Sequence, residues 1–105
     1  MTLLAVYTTL ATRDDAQRIA TAMVERRLAA CAQIEAIESV YRWQGAVQHE
    51  TEYRLLLKTT EARYPALEAA IRALHPYALP AIHAVVVARA YAPYAAWVIE
   101  GCADA

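Results

Sequence analysis

The chain has 105 residues, 59% of them hydrophobic, and a formal net charge of −1. Its size suits a single domain spanning 1–105, and its interleaved basic and acidic residues lack the electrostatic footprint that a nucleic-acid partner requires. The longest uncharged stretch, 73–88, holds Pro76 and Pro80, which excludes a bilayer-spanning helix there.

In chain order, Leu3 to Thr9 is a short apolar run without alternation, which predicts a central strand buried on both faces. Thr12 followed by Asp15 resembles a capping box and predicts a helix from Arg13, with Asp14 and Asp15 at the positive end of its dipole. Ala16, Ile19, Ala20, Met23, Val24 and Leu28 then recur at three- and four-residue steps, the pattern of an amphipathic helix on a sheet. Gln33 to Trp43 and about Val47 to Thr59 predict a long β-hairpin turning at Gln44-Gly45. The return strand is polar over 48–52 and apolar at Leu55-Leu56-Leu57, so its first half should project as an arm whose unpaired edges invite another subunit.

A second helix follows Thr60, with Pro65 near its start and an apolar stripe of Tyr64, Leu67, Ile71 and Leu74. It must stop at His75, because Pro76 disfavours helical geometry in the residue before it. Ile82 to Ala88 predicts a fourth strand, and Pro93 to Cys102 a short C-terminal helix carrying Tyr94 and Trp97. This order predicts an α+β fold, a ferredoxin-like split βαβ-βαβ sandwich: an antiparallel sheet with helices on one face, an extended β-hairpin and a short C-terminal helix. The opposite sheet face would be bare, so association through it is expected, in keeping with the apolar surplus.

The apolar run Leu3 to Val6 is too short for a secretory leader, and the first positive charge is Arg13, so a soluble cytoplasmic protein is expected, with no membrane partner. Cys31 and Cys102 have neither zinc-site spacing nor companions, which favours free thiols over a single Cys31–Cys102 bridge.

Four phrases, Arg27-Leu-Ala-Ala-Cys31, Tyr41-Arg-Trp-Gln-Gly45, Leu57-Lys-Thr-Thr60 and Leu74-His-Pro-Tyr-Ala-Leu-Pro80, resemble in order and spacing the CutA family of divalent-cation tolerance proteins. The likeness runs on through Tyr94 and Trp97. It implies a homotrimer in which hairpins clasp neighbouring subunits, a link to tolerance of Cu2+ or another divalent cation, and no catalytic reaction. It also implies a likeness in fold and assembly to the PII signalling proteins. Some members carry a cysteine where Thr8 stands and a histidine where Leu74 stands, and this sequence lacks both of those ligands.

His75 is the first candidate metal ligand, since imidazole suits copper and zinc; the competing role is to bond carbonyls left open at the helix end. Cys31 could supply a thiolate, although its Leu-Ala-Ala neighbourhood favours a buried small hydrophobe. Tyr41, Trp43, Lys58 and Tyr94 could line a ligand-binding cleft between subunits for a small anion, with packing as the competing account for the aromatic pair. His49 and His83 have no chelating partner at two- or four-residue spacing, and Glu50 and Glu52 read as a solvated face or a salt-bridging edge. Nothing supports an enzyme: Ser39 is the only serine, no phosphate-cradling glycine loop exists, and only a Cys31–His75 pair is formally available.

Overall fold

The computed structural model describes residues 1–104. Its elements are β1 (Leu3–Leu10), α1 (Arg13–Glu25), β2 (Cys31–Trp43), β3 (Ala46–Thr60), a 3-10 turn (Glu61–Arg63) running into α2 (Tyr64–Leu74), β4 (Ile82–Val86) and α3 (Ala92–Gly101). The four strands form one antiparallel sheet in the order β2-β3-β1-β4, the ferredoxin-like arrangement expected from the element order.

Period-two alternation divides the sheet into two faces. Leu4, Val6, Leu10, Leu55 and Leu57 point to one side, where they meet Ala16, Ile19, Ala20 and Met23 of α1 and Leu67 and Ile71 of α2 in the main core. The other side carries Ala5, Tyr7, Gln33, Leu56, Lys58, His83 and Val85, cross-strand neighbours by register. This face is not wholly bare. Leu3, which alternates with Leu4, packs with Val98 and Cys102, so α3 covers one end of it.

Helix α1 begins where Thr12 accepts the backbone N–H of Asp15 on its hydroxyl at 3.1 Å. The reciprocal half of a capping box is absent, because the Asp15 carboxylate turns to Arg18 at 3.3 Å. The helix ends at Glu25, before Leu28. Arg27 adopts φ +59°, Leu28 N–H donates to Met23 O at 2.9 Å and Arg27 N–H to Val24 O at 3.1 Å, a Schellman closure with arginine where glycine is usual. The Arg27 side chain offsets the backbone strain by donating to Glu100 O at 2.7 Å and Ala103 O at 2.6 Å, which ties α3 to this turn.

The hairpin turns at Gln44 (φ +51°) and Gly45 (φ +81°), a two-residue loop with both residues left-handed, whose twist matches that of the strands. β1 reaches only as far as Tyr53 of β3, so residues 46–52 and their β2 partners extend past the sheet as an arm of about 20 Å. β4 stops at Val86, short of the expected Ala88. Beyond Leu3 there is no β1 strand left to pair with, and only Val87 N–H still donates, to Leu3 O at 3.0 Å.

Candidate functional site

The six residues singled out in the sequence fall into three places. At the α3 end of the open face, Cys31 opens β2 opposite Lys58 of β3, and Lys58 lies opposite Ala5 of β1. The Cys31 Sγ lies 3.7 Å from the Tyr94 hydroxyl, a hydrogen bond in which either can donate. Burial, followed by this bond, pushes the Tyr94 phenol up to about 12, so it keeps its proton across the physiological range. Cys31 is a free thiol and only half-buried, which corrects the expectation of a buried small hydrophobe; the buried cysteine is Cys102, beside Thr59 at 3.7 Å. The edge position of β2 explains this exposure, since an edge strand has a neighbour on one side only. Lys58 Nζ donates to Gln33 Oε1 at 3.5 Å and has no carboxylate partner among the described residues.

His75 sits at the opposite end of the sheet, capping α2. It is nearly buried, and both ring nitrogens are engaged: Nδ1 accepts the Tyr77 N–H at 3.2 Å, which leaves the proton on Nε2 to be donated to Thr9 O at 2.9 Å. The carbonyl it bonds belongs to β1 and not to the end of α2. Burial lowers its pKa below the ordinary imidazole value, an effect partly opposed by the Thr9 carbonyl. In this arrangement neither nitrogen has a lone pair free for a metal. Thr9 and Ala5 are four strand residues apart, about 13 Å, so within one chain His75 and Cys31 can form neither a catalytic pair nor a shared metal site. Among the described residues, no group of three or more His, Cys, Asp or Glu side chains could hold a metal ion.

Tyr41 and Trp43 lie on the projecting arm. They line a groove of about 740 Å³ between the arm and the loop after α2, together with Glu38, Glu50, Glu52 and Tyr77. Lys58 and Tyr94 are not part of it, so one chain divides the four expected cleft residues into two separated pairs. A cleft uniting them would have to draw one pair from each of two chains. Glu52 departs from the sequence expectation: it is 6% exposed, not solvated, and its Oε2 accepts the Tyr77 hydroxyl at 2.7 Å. Exposed Glu50 accepts the Tyr41 hydroxyl at 3.0 Å. Burial and the Glu52 bond push the Tyr77 phenol far above its ordinary value, and the Glu50 bond raises that of Tyr41. Tyr77 and Glu52 are 25 residues apart, so no local pattern announced their pairing.

Of the remaining histidines, His83 stacks on Tyr7 with ring centroids 5.2 Å apart, and His49 is exposed on the arm. Arg54 pairs with Glu35 at 2.7 Å and lies over the Tyr7 ring, so much of the middle of the open face is polar or aromatic. Exposed apolar side chains flank it at Val85 of β4 and at Tyr91 and Trp97 around α3.

Comparison with known proteins gives a consistent picture. The family model described as CutA1 divalent ion tolerance protein matches residues 4–101. The divalent-cation tolerance protein CutA of Thermus thermophilus is 43% identical over 96 residues, covering 90% of this chain and 93% of that protein. The solved structure of Cut A1 from the same organism superposes with a TM-score of 0.92 at 40% identity, covering 96% of this chain and 99% of that one. The structure described as the periplasmic divalent cation tolerance protein CutA of Archaeoglobus fulgidus gives a TM-score of 0.94 at 29% identity, covering 96% of this chain and 99% of that one.

Proposed function

The chain belongs to the CutA1 divalent ion tolerance protein family, and from that premise we propose that it acts in the response to divalent cations as a cytoplasmic homotrimer. In this reading it binds Cu2+ or another divalent cation weakly, at sites completed where subunits meet. The observation that carries the reading is the free, half-buried Cys31 thiol on the open face, beside Tyr94, at the edge of the sheet. A thiolate is a soft ligand that favours copper and zinc, and a single one needs further ligands to close a coordination shell. Another chain docked on this face is the natural source of them. His75 would join such a shell only by giving up its bonds to Thr9 and Tyr77, so Cys31 ranks first.

Assembly through this face is supported by the unpaired edge of β2, the projecting arm and the exposed Val85 and Trp97. Two unbridged cysteines support a reducing compartment. Calorimetric titration of copper and zinc into the purified protein, Cys31→Ser and His75→Gln, with oligomer mass recorded on the same samples, tests the whole reading. Metal binding lost in Cys31→Ser, kept in His75→Gln, and carried by a trimer is the expected result. A monomer, or binding indifferent to Cys31, would overturn it.

A second reading, a PII-like module binding a small anionic ligand between subunits, rests on the Lys58 ammonium, which meets only an amide oxygen. Loss of anion binding in Lys58→Ala, with copper binding intact, would favour it.

A further inference from the structure

We infer that the loop after α2 is a strap that fixes the angle of the hairpin arm, with His75 as its anchor and Tyr77 as the residue that closes it on Glu52. The arm has little else to hold it. Beyond Tyr53, which pairs with Leu10, β3 has no β1 neighbour, so residues 46–52 and their β2 partners form a two-stranded ribbon. A two-stranded hairpin by itself is marginal in water. The arm and the loop do not pack along their length either, since a groove of about 740 Å³ separates them.

The two meet at the base of the arm, where the Tyr77 hydroxyl donates to Glu52 Oε2 at 2.7 Å. Among the described residues this is the only side-chain hydrogen bond that joins 37–52 to a residue outside the hairpin, and the salt bridges, Arg18 to Asp15, Arg54 to Glu35 and Arg63 to Asp104, lie elsewhere. Glu52 is buried, so water competes little for the bond, and an ionised acceptor makes it roughly twice as strong as a neutral one.

The strap crosses the end of the sheet. Helix α2 packs on the face of Leu55 and Leu57, whereas Glu52 alternates with Tyr53 and shares the face of Arg54 and Lys58. The near end is fixed by His75, whose Nε2 donates to Thr9 O at 2.9 Å, whose Nδ1 accepts the Tyr77 N–H at 3.2 Å and whose ring lies 4.8 Å from that of Tyr77. Pro76 and Pro80 flank Tyr77 and restrict the backbone between the two ends. Thr9, His75, Tyr77 and Glu52 thus form one line of contacts from β1 to the arm. Releasing the His75 ring slackens Tyr77 and the arm with it, although His75 hydrogen-bonds no arm residue. An arm held at a set angle loses less freedom on docking, so the strap favours the assembly proposed above without depending on it.

The test is amide hydrogen exchange of the full chain read by mass spectrometry, in the parent and in Tyr77→Phe, which keeps the ring and removes the hydroxyl. Exchange over 37–52 should speed up by about tenfold or more, while β1 and α1 stay within about twofold of the parent. His75→Gln should speed exchange in the same segment, and the double variant should exchange no faster there than the quicker single one, because both cut the same strap. Should His75→Gln fail to fold, Glu52→Ala takes its place with the same non-additivity required. Arm exchange unchanged in Tyr77→Phe overturns the assignment, as it would if a neighbouring chain alone held the arm. An equal rise in arm and core, or additive effects in the double variant, overturns it too. A monomeric mass would sink the assembly reading and leave the strap result standing.

Discussion

Gly101→Ala should loosen the α3 end of the open face, and the structure supplies the terms of the estimate. A Cβ at position 101 would lie 2.8 Å from Ala30 Cβ and 3.2 Å from Ala30 Cα, both well inside contact distance. Ala30 cannot retreat freely, because its N–H donates to Lys58 O at 2.9 Å within the sheet. α3 cannot lift away freely either, since Arg27 holds Glu100 O and Ala103 O. Overpacking of this kind costs about 1–3 kcal/mol. Alanine returns at most about 1 kcal/mol of helix propensity, and less at the last residue of a helix. The net is a loss of about 1 kcal/mol, which for a domain of this size lowers the melting temperature by about 4–8 °C. Thermal unfolding at fixed protein concentration measures it, the concentration being held because association shifts apparent stability. A second readout follows from position: α3 carries Tyr94 to the Cys31 thiol, so labelling of Cys31 by a thiol reagent should speed up in the variant. Ala30→Gly in the same chain removes the closest contact and should restore most of both quantities. A melting temperature equal to or above that of the parent, with unchanged labelling, would refute the close packing of Gly101 on Ala30.

Thr8→Val should stabilise the chain by about 1 kcal/mol, because the Thr8 hydroxyl is buried in β1 without a hydrogen-bond partner. A lower denaturation midpoint in that variant would mean that the hydroxyl is satisfied in solution. The His75 ring is held neutral by burial, with its pKa below the ordinary 6.5; the Thr9 carbonyl, Asp15 and Glu52 partly oppose that shift, and Arg18 adds to it. The unfolded chain therefore takes up the proton first, so the stability contributed by His75 is complete above that value and is lost as pH falls through it towards the folded pKa. The stability difference between the parent and His75→Gln, followed by urea unfolding from about pH 8 to about pH 5, should shrink as the pH falls. A difference that stays flat or grows would contradict this sign.

Most of the fold was legible because its signals are local. An unbroken apolar run marked β1, apolar periodicity marked α1 and α2, Gly45 marked the hairpin turn, and Pro76 marked the end of α2. The change from polar 48–52 to apolar Leu55-Leu56-Leu57 foretold which half of β3 is central, since a strand with neighbours on both sides must bury both faces. The four family phrases were legible for the same reason: each is a short contiguous string.

The site was decided elsewhere, by groups far apart in sequence. His75 meets Thr9 across 66 residues, Glu52 meets Tyr77 across 25, and Cys31 meets Tyr94 across 63. Arg27 could not be read as a left-handed cap, because its side chain earns that place through carbonyls more than seventy residues away. The sequence by itself determined the elements, their order and which faces are apolar, since hydrophobic period and backbone stereochemistry act between near neighbours. Only the tertiary structure decided that the thiol stays open, that the imidazole is engaged and that a carboxylate is buried without a counterion, because solvation and hydrogen bonding depend on what the rest of the chain brings alongside.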